Sequence, residues 1–345
     1  MDSKLKWKEV KERLASKARQ RVALITGLGL RQGLSVEAGI KAWKVLVRPV
    51  LEYGSEIWGS PIWKDAEQIQ VQMGRALMGV GPKVANDVVL GELGWWTMKG
   101  RRDLAKLRFW GKILNVADNR LIRIVYQARR AEYLRYKDGQ FWCKEIHQLL
   151  LSLGLGRCWD NEETGNLNAW MTVVHKQIAQ REEKEWLIRI SEKPKLRLYM
   201  RIKDQLCEEE YLNLGDSWTR RLLTNLRAGS SELQIEIGRR QNEPLESRTC
   251  RICVKNVIED EGHFLLYCPM YDRERKDMFD EILEHTEEKF DLRVMLHDAH
   301  WMLDVLVGHS FIQEKTREVV MTAVLRYLRQ AFNRRKQFIR QLYAV

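Results

Sequence analysis

The stretch KGRRDLAKLRFWGKIL, residues 99–114, has the residue spacing of an amphipathic α-helix. On a helical wheel, Arg101, Arg108 and Lys112 share one face, and leucines lie on another face. Apolar residues recur at the same three- or four-residue steps along most of the chain, which has only six prolines to interrupt helices. The sequence therefore predicts a mainly α fold, with a helical bundle, a helical middle region and a small β/α module near the carboxyl terminus.

Helix boundaries are predicted from residues that begin or break a helix. Ser35 is a predicted N-cap for the second helix, which Pro49 should interrupt. Glycine and serine in YGSEIWGSP, residues 53–61, predict a break before the third helix. A last helix is predicted from Arg317 to Val345. The first helix is predicted from apolar residues at helical spacing, which are Trp7, Val10, Leu14, Ala18 and Val22.

One strand is predicted, in the stretch SSELQIEIG, residues 230–238. Leu233, Ile235 and Ile237 alternate there with polar residues, and this alternation is typical of a half-buried strand. We therefore expect a short strand or hairpin to lead into the cysteine-rich stretch that follows.

The chain of 345 residues carries a net charge of +12, from 59 Lys and Arg against 47 Asp and Glu. The positive charge is concentrated between Lys99 and Lys137, where twelve basic residues accompany three acidic ones. This balance indicates a polyanionic partner, either nucleic acid or an anionic membrane surface. A cationic stripe opposite an apolar stripe favours a surface laid along a phosphate backbone. The alternative is a solvated face without a partner.

No apolar run approaches the roughly 18 residues that a membrane-spanning helix needs. The first residues, MDSKLKWK, lack the apolar core of a signal peptide. We therefore expect a soluble intracellular protein, in the cytoplasm, the nucleus or both. Cys143, Cys158 and Cys207 are scattered singly, and we expect them to be reduced thiols, as in a reducing compartment.

Three cysteines and a histidine lie at C-x2-C-x9-H-x4-C spacing in CRICVKNVIEDEGHFLLYC, residues 250–268. Thiolate sulfur and imidazole nitrogen are the ligands that zinc prefers in tetrahedral sites, so Cys250, Cys253, His263 and Cys268 are predicted to bind zinc. Four protein ligands leave no position for a catalytic water, which makes the predicted ion structural. The turn HFLL should end before the last cysteine, because a continuous helix would place the last two ligands about 140° apart. The alternative is three buried cysteines and an unrelated histidine.

The charge around this cluster argues against a main role in nucleic-acid binding. Between Lys255 and Asp291, twelve acidic residues accompany five basic ones. A surface with this balance repels a phosphate backbone. We therefore expect the metal ion mainly to hold the chain together, and we expect nucleic acid to bind elsewhere.

Four segments resemble, in consistent order, one known family. They are VLVRPVLEYGSEIWGSP (residues 45–61), GELGWWTMKGRRDLAKLRFW (91–110), KPKLRLYMRIKDQLCEEEYL (193–212) and RTCRICVKNVIEDEGHFLLYCPMYDRER (248–275). Together they are similar to the C-terminal part of reverse transcriptases of non-LTR (LINE-type) retrotransposons. The first segment resembles the thumb that follows the polymerase palm, and the four predicted ligands match the family's CCHC positions one by one. The resemblance implies binding of RNA or an RNA–DNA duplex, with a polymerase portion in trans as a further candidate partner. We expect no membrane partner, because none of the basic helices has an unusually large exposed apolar face.

The chain also departs from this family. The Tyr-x-Asp-Asp pattern that holds the catalytic magnesium of the palm is absent from the sequence, and so is the family's amino-terminal endonuclease. Phosphate-loop, G-x-S-x-G and H-E-x-x-H motifs are absent as well. The resemblance therefore implies the non-catalytic rear portion of a reverse transcriptase. Two alternatives stay open, a metal-dependent nuclease or polymerase with an unrecognised active site, and an inactive remnant of a truncated element.

Four regions are predicted along the chain. They are a thumb-like helical region (residues 1–98), a basic helical middle region (99–226), a CCHC zinc-binding module (227–290) and a C-terminal helical segment (291–345). No residue is assigned a catalytic role. Nucleic-acid contacts are predicted for thirteen basic residues, which are Arg101, Arg102, Lys106, Arg108, Lys112, Arg120, Arg123, Arg129, Arg130, Arg334, Arg335, Lys336 and Arg340.

Overall fold

The computed structural model of the chain describes residues 7–30, 33–58, 62–136, 141–285, 298–308 and 314–342. Within these ranges the protein contains seventeen α-helices, which confirms the predicted mainly α fold. Extended pairing in the described ranges consists of two isolated antiparallel bridges, Leu93 with Glu208 and Thr249 with Ile258. None of the described helices is both long enough and apolar enough to cross a lipid bilayer.

Short helical turns join several of the α-helices. The π-helical turns are Ile25–Gly29, Trp43–Val47 and His263–Tyr267, and the 3-10 turns are Pro194–Leu196, Glu210–Asn213, Leu245–Ser247 and Pro269–Tyr271. The α-helices in chain order are α1 (Lys8–Leu24), α2 (Val36–Ala42), α3 (Arg48–Glu52), α4 (Ser55–Trp58), α5 (Lys64–Met78), α6 (Asn86–Glu92), α7 (Met98–Leu114), α8 (Leu121–Tyr136), α9 (Phe141–Ser152), α10 (Gly156–Asn161), α11 (Leu167–Ser191), α12 (Tyr199–Ile202), α13 (Ser217–Arg227), α14 (Gln234–Arg240), α15 (Asp272–His285), α16 (Ala299–Leu306) and α17 (Glu314–Leu342).

The chain folds into two compact units, each of which combines separate stretches of sequence. The first unit consists of residues 1–74 and 95–187, and the second of residues 75–94 and 188–345. The predicted region boundaries after residues 98, 226 and 290 do not coincide with the borders of these units. Contacts between distant segments, rather than changes of composition along the chain, determine where each unit begins and ends.

The first helices begin and end at the residues that favour such boundaries. The predicted first helix is present as α1, which begins directly after Trp7 and contains Val10, Leu14, Ala18 and Val22. The Ser35 hydroxyl accepts a hydrogen bond of 3.2 Å from an amide in the first turn of α2, so the predicted N-cap is confirmed. Pro49 lies in the first turn of α3, where its missing N–H loses no helical partner. The predicted break at residues 53–61 contains the short helix α4.

The strand predicted at residues 230–238 is wrong, because most of this stretch forms helix α14. Leu233 keeps an extended backbone and precedes the helix. The Gln234 amide then donates a hydrogen bond of 2.8 Å to the Glu259 carboxylate, and the Ile235 amide donates one of 3.1 Å to the Glu259 carbonyl. Amides in the first turn of a helix have no partner within the helix. A residue distant in sequence therefore overrides the local alternation of apolar residues.

The carboxyl-terminal helix α17 includes the helix that was predicted from Arg317. It begins three residues earlier, at Glu314, and continues to Leu342. The predicted residues 343–345 lie outside the described part of the chain. One face of α17 is buried in the second unit, through Val320, Val324, Tyr327, Leu328, Ala331 and Phe332.

Aromatic side chains form much of the core of the first unit. Trp110 and Trp170 are buried there together with Tyr126. Trp110 donates a hydrogen bond of 3.1 Å to the Tyr126 hydroxyl, and Trp170 donates one of 3.0 Å to the Leu107 carbonyl. Both indole N–H groups therefore have partners, as buried tryptophans require. Gly111 permits the packing, because a Cβ at this position would lie 2.5 Å from the Trp170 ring.

Helix α7 contains the basic stretch of residues 99–114 and passes through this core. The Thr97 hydroxyl caps the helix by accepting a hydrogen bond of 3.0 Å from the Gly100 amide. The Glu67 carboxylate accepts hydrogen bonds of 2.9 and 2.8 Å from the amides of the first two helical residues. A carboxylate stabilises a helix amino terminus, because the amides there lack partners and the helix dipole is positive. An acidic residue of α5 therefore holds the start of α7.

A buried ion-pair network surrounds Arg227 in the second unit. Its Nη2 lies 3.0 Å from Glu92 Oε1 and 3.0 Å from Glu209 Oε2. Its Nη1 donates a hydrogen bond of 2.7 Å to the Val307 carbonyl, and the Tyr211 hydroxyl donates to Glu92. Burial opposes the charged form of Arg227, but the two carboxylates outweigh this effect and raise the pKa of the guanidinium. The Arg227 guanidinium therefore stays charged in the folded protein, whereas burial raises the pKa of Glu92.

Replacing Arg227 with Met should lower the free energy of unfolding by about 3–5 kcal/mol, because Glu92 is then buried without its paired cation and Glu209 keeps only Lys203. Urea denaturation followed by circular dichroism measures this change. Arg221 is an exposed arginine of the same helix, and Arg221→Met should change the free energy of unfolding by at most about 0.5 kcal/mol. Equal effects of the two substitutions would contradict the stabilising role of the network.

Candidate metal centre and basic surfaces

Cys250, Cys253, His263 and Cys268 form one cluster, as their spacing predicted. One ligand atom from each residue lies within 4.8 Å of the other three, and all four side chains are buried. The distance from Cys253 Sγ to His263 Nε2 is 3.5 Å. Three thiols and an imidazole are suitable donors for a four-coordinate transition-metal ion. The residues present therefore fit a metal site.

A short loop closed by backbone hydrogen bonds carries the first two cysteines. Thr249 and Ile258 form an antiparallel bridge, and the Cys250 amide donates a hydrogen bond of 2.8 Å to the Val257 carbonyl. Cys253 lies within the loop that this pairing closes. The pairing thus holds the donor sulfurs of Cys250 and Cys253 on one short loop, independently of helix packing.

The other two ligands lie at the ends of a single turn. His263 begins the π-helical turn, and the Cys268 amide donates a hydrogen bond of 2.7 Å to the His263 carbonyl. Cys268 itself has an extended backbone conformation, with φ −68° and ψ 119°. This confirms the prediction that the helical turn ends before the last ligand. The change of backbone direction allows both side chains to reach the cluster, which a continuous helix would prevent.

The thiols of Cys250 and Cys268 share a hydrogen bond. This hydrogen bond, together with burial, raises the pKa of Cys250 to about 12. The same hydrogen bond lowers the pKa of Cys268. Metal ions bind thiolates, so a metal ion that binds this cluster displaces protons from the pair.

Glu259 is not among the predicted site residues, yet it contacts the cluster. Its Oε1 lies 3.6 Å from the Cys250 Sγ. Arg335 of α17 forms two hydrogen bonds with this carboxylate, of which the one from Nη2 to Oε2 measures 2.9 Å. Both side chains are almost completely buried. The only sequence signal was an acidic run between the ligands, and nothing in that run indicates a partner 76 residues later.

The carbonyls of the π-helical turn are held by two further side chains. Tyr327 of α17 donates a hydrogen bond of 2.5 Å to the Phe264 carbonyl. Arg275 of α15 donates hydrogen bonds of 3.0 Å to the Leu265 carbonyl and 2.6 Å to the Cys268 carbonyl. A turn that ends in the interior leaves carbonyls without helical partners. These two side chains provide the missing donors and tie the ligand turn to α15 and α17.

Two of the predicted nucleic-acid contacts, Arg102 and Lys106, are fully buried in the first unit. Arg102 lies 3.9 Å from a carboxylate oxygen of Glu67, and Lys106 forms an ion pair with Glu145. Burial lowers the pKa of Lys106. These side chains offer no surface to a phosphate, so the structure corrects both assignments. The inner face of α7 carries cations that carboxylates of other helices neutralise.

Three more residues of the basic stretch are partly buried and have protein partners. The Arg101 guanidinium lies over the Trp96 ring, 5.7 Å from its centroid. Arg123 and Arg130 each form an ion pair with an acidic residue, at 3.2 and 3.3 Å. Arg130 also lies over the Trp159 ring. A nucleic acid would have to compete with these contacts.

Arg108, Lys112 and Arg120 are exposed, on the second half of α7 and in the connection to α8. None of the three forms an ion pair with another residue in the part of the chain that the structure describes. Arg129 is exposed as well, but it pairs with Glu132 at 3.1 Å. The cations available to a partner are therefore fewer than the composition of residues 99–137 indicated.

The predicted nucleic-acid contacts on α17 also differ from one another in burial and in ion pairing. Arg335 is buried against Glu259, so the structure corrects this assignment. Arg334 is partly buried and pairs with Glu274 at 2.8 Å. Lys336 and Arg340 are exposed. Neither of these two forms an ion pair in the described part of the chain, although the Lys336 Nζ lies over the Trp218 ring.

Comparisons with known proteins found no relative of this chain. No protein-family model, no curated protein and no solved structure matches it. The resemblance to reverse transcriptases therefore depends on the four sequence segments and stays a prediction.

Replacing Arg335 with Met should weaken metal binding about 10–100-fold, as is typical when an outer partner of a ligand is lost. The Glu259 carboxylate would then lie beside the Cys250 thiolate without its cation and oppose the negative charge on the sulfur. Competition with a chromophoric chelator measures the affinity. Arg340→Met, at an exposed position of the same helix, should leave it unchanged. Equal affinities of the two variants would contradict the role of Arg335.

Proposed function

We propose that this chain is a non-catalytic nucleic-acid-binding protein with a structural zinc ion. The observation that carries the proposal is the exposed group of Arg108, Lys112 and Arg120, which form no ion pairs within the described part of the chain. Lysine and arginine that neutralise phosphates release counterions from nucleic acid, which supplies most of the non-specific affinity. These three cations have no ion pair with a carboxylate that must first be broken. Little of the free energy gained from counterion release is therefore lost when nucleic acid binds.

Zinc is the metal that the donor atoms of the cluster favour. Zinc–sulfur bonds are about 2.3 Å and zinc–nitrogen bonds about 2.0–2.1 Å, so donors of a tetrahedral site lie roughly 3.5–3.8 Å apart. The 3.5 Å between Cys253 Sγ and His263 Nε2 agrees with this spacing. Four protein ligands leave no open position for a substrate. The ion would therefore stabilise the ligand turn and the elements that pack on it.

The nucleic acid we propose is RNA or an RNA–DNA duplex, as the resemblance to the rear portion of a non-LTR reverse transcriptase implies. Two features support this origin. The four residues that match the family's CCHC positions converge in one buried cluster, and the described residues outside that cluster are mainly helical, as a thumb-like body would be. The exposed cations of α7 and its following connection would then contact the phosphate backbone.

The purified protein should contain one zinc ion per chain, as measured by elemental analysis. Cys268→Ala should abolish this zinc and lower the melting temperature, because structural zinc sites contribute on the order of 10 kcal/mol of apparent binding free energy. Cys158 lies outside the cluster, in the first unit, and Cys158→Ala should retain the zinc. A protein without zinc, or a Cys268→Ala variant that melts like the wild type, would refute the structural ion.

Replacing Arg108, Lys112 and Arg120 together with Ala should weaken binding to a short RNA–DNA duplex. The slope of log affinity against log salt should become shallower by about 2–3, because each lost phosphate contact removes about 0.7–0.9. Fluorescence anisotropy over a salt series measures this slope. The matched control replaces three exposed cations of the first unit, Arg13, Lys17 and Lys184, with Ala.

Two outcomes would count against the proposed function. If the wild-type protein binds neither RNA nor an RNA–DNA duplex at low salt, the proposed function is refuted. If the test and control variants have the same salt slope as each other, the three cations are not the contact surface. Circular dichroism of both variants verifies that the helices remain folded.

A further inference from the structure

A cleft of about 380 Å³ lies in the second unit. Its walls are residues 81–84, one face of α13, the residues that lead into α14, and α17. The volume falls in the range of roughly 300–1,000 Å³ that is typical of small-ligand sites. Lys336 is the one predicted nucleic-acid contact that lines it, and none of the four metal ligands does.

The cleft carries an excess of positive charge. Lys83, Arg221, Arg240 and Lys336 line it, against the single carboxylate of Glu232. Within the described ranges, none of the four cations forms an ion pair. The only hydrogen bonds that the Arg240 guanidinium makes there are long ones of 3.4 Å to a backbone carbonyl. Four cations that share one concave surface without carboxylate partners favour an anionic ligand.

An indole ring lies among these cations. Trp218 is partly buried in the cleft, and the Lys336 Nζ lies 5.0 Å from the centroid of its ring. Trp218, Arg221, Leu222 and Asn225 have i, i+3, i+4 and i+7 spacing, so helix α13 presents them on one face. A bare anion or an acidic peptide uses the cations but gains nothing specific from an aromatic ring. A nucleotide uses both, because its base stacks on an aromatic side chain while its phosphate pairs with lysine and arginine.

The walls of the cleft are held in place by other contacts. The Lys83 carbonyl accepts hydrogen bonds of 3.0 Å from the Ser230 hydroxyl and 2.8 Å from Lys195 Nζ. The start of α13 has a capping box in which Asp216 and Thr219 exchange hydrogen bonds. The site is therefore formed before a ligand arrives, which reduces the ordering cost of binding.

We propose that this cleft binds one nucleotide of a single-stranded nucleic acid, with the base on Trp218 and the phosphate on Arg221, Lys336 and Lys83. The cleft has room for one base, and a base within a duplex would first have to leave its stack. The strand is therefore unpaired where it enters. The inference depends on the proposed nucleic-acid binding, but it concerns residues other than Arg108, Lys112 and Arg120.

The first test uses the whole 345-residue chain and a fluorescent single-stranded oligouridylate in anisotropy titrations. Trp218→Ala should weaken binding about tenfold, as expected for the loss of one base–aromatic stack. Trp218→Phe should restore most of the affinity, because it keeps a ring on which a base can stack. The control Tyr53→Ala removes another exposed aromatic ring and should leave the affinity unchanged.

The second test addresses the cations of the cleft. The double substitution Arg221→Ala and Lys336→Ala should make the salt slope for the single strand shallower by about 1.4, since each phosphate contact contributes about 0.7. The control Arg13→Ala and Lys17→Ala removes the same charge from α1 and should not change the slope. Circular dichroism melts show whether each variant remains folded.

Several results would overturn the inference. One is that the Trp218→Ala variant and the double variant of Arg221 and Lys336 both bind the oligouridylate with the affinity of the wild type. If uridine monophosphate displaces the oligouridylate at equal nucleotide concentration, the ligand is a free mononucleotide and not a strand. If polyglutamate displaces it equally well at equal charge, the ligand is an acidic chain. A loss of affinity in the Arg108, Lys112, Arg120 variant, with none in the cleft variants, refutes the cleft and leaves the proposed function intact.

Discussion

Each cation that is buried in this protein needs a carboxylate as an ion-pair partner, and this requirement restricts the packing of both units. Lys106 forms an ion pair with Glu145 within the first unit, and Arg227 forms one with Glu92 within the second. An isolated buried charge costs several kcal/mol, so such pairs form only where the helices bring both partners together. Each pair thus restricts how its helices can pack. Arg335 has a further effect, because its carboxylate partner also contacts a ligand of the metal cluster.

The same requirement separates the basic residues into two groups with different consequences. Paired cations such as Arg102 stabilise the interior and are not accessible to a ligand. Exposed cations without a carboxylate, such as Lys112 and Lys336, carry the charge that a polyanion meets. The net charge of +12 describes the whole chain, so it overstates the positive charge of any one binding surface. Burial and pairing decide which residues contribute.

Features that depend on neighbouring residues could be predicted from the sequence. Helical spacing, the Ser35 cap and the convergence of the four metal ligands belong to this class. Features that depend on distant partners could not. The alternation at residues 230–238 is compatible with a strand, but the carboxylate and carbonyl of Glu259 accept hydrogen bonds from the first amides of a helix there. Likewise, the burial of Lys106 depends on Glu145, which lies 39 residues later and shows no local pattern.

The ion pair between Glu259 and Arg335 also sets an order of events during synthesis. The two residues are 76 positions apart, so at roughly 5–20 residues per second the carboxylate is made about 4–15 seconds before its cation. The last metal ligand, Cys268, follows Glu259 by nine residues, whereas Tyr327 follows it by 68 and Arg335 by 76. A nascent chain that captures its metal ion early would present a closed ligand turn. Helix α17 would then pack on a surface that has already formed.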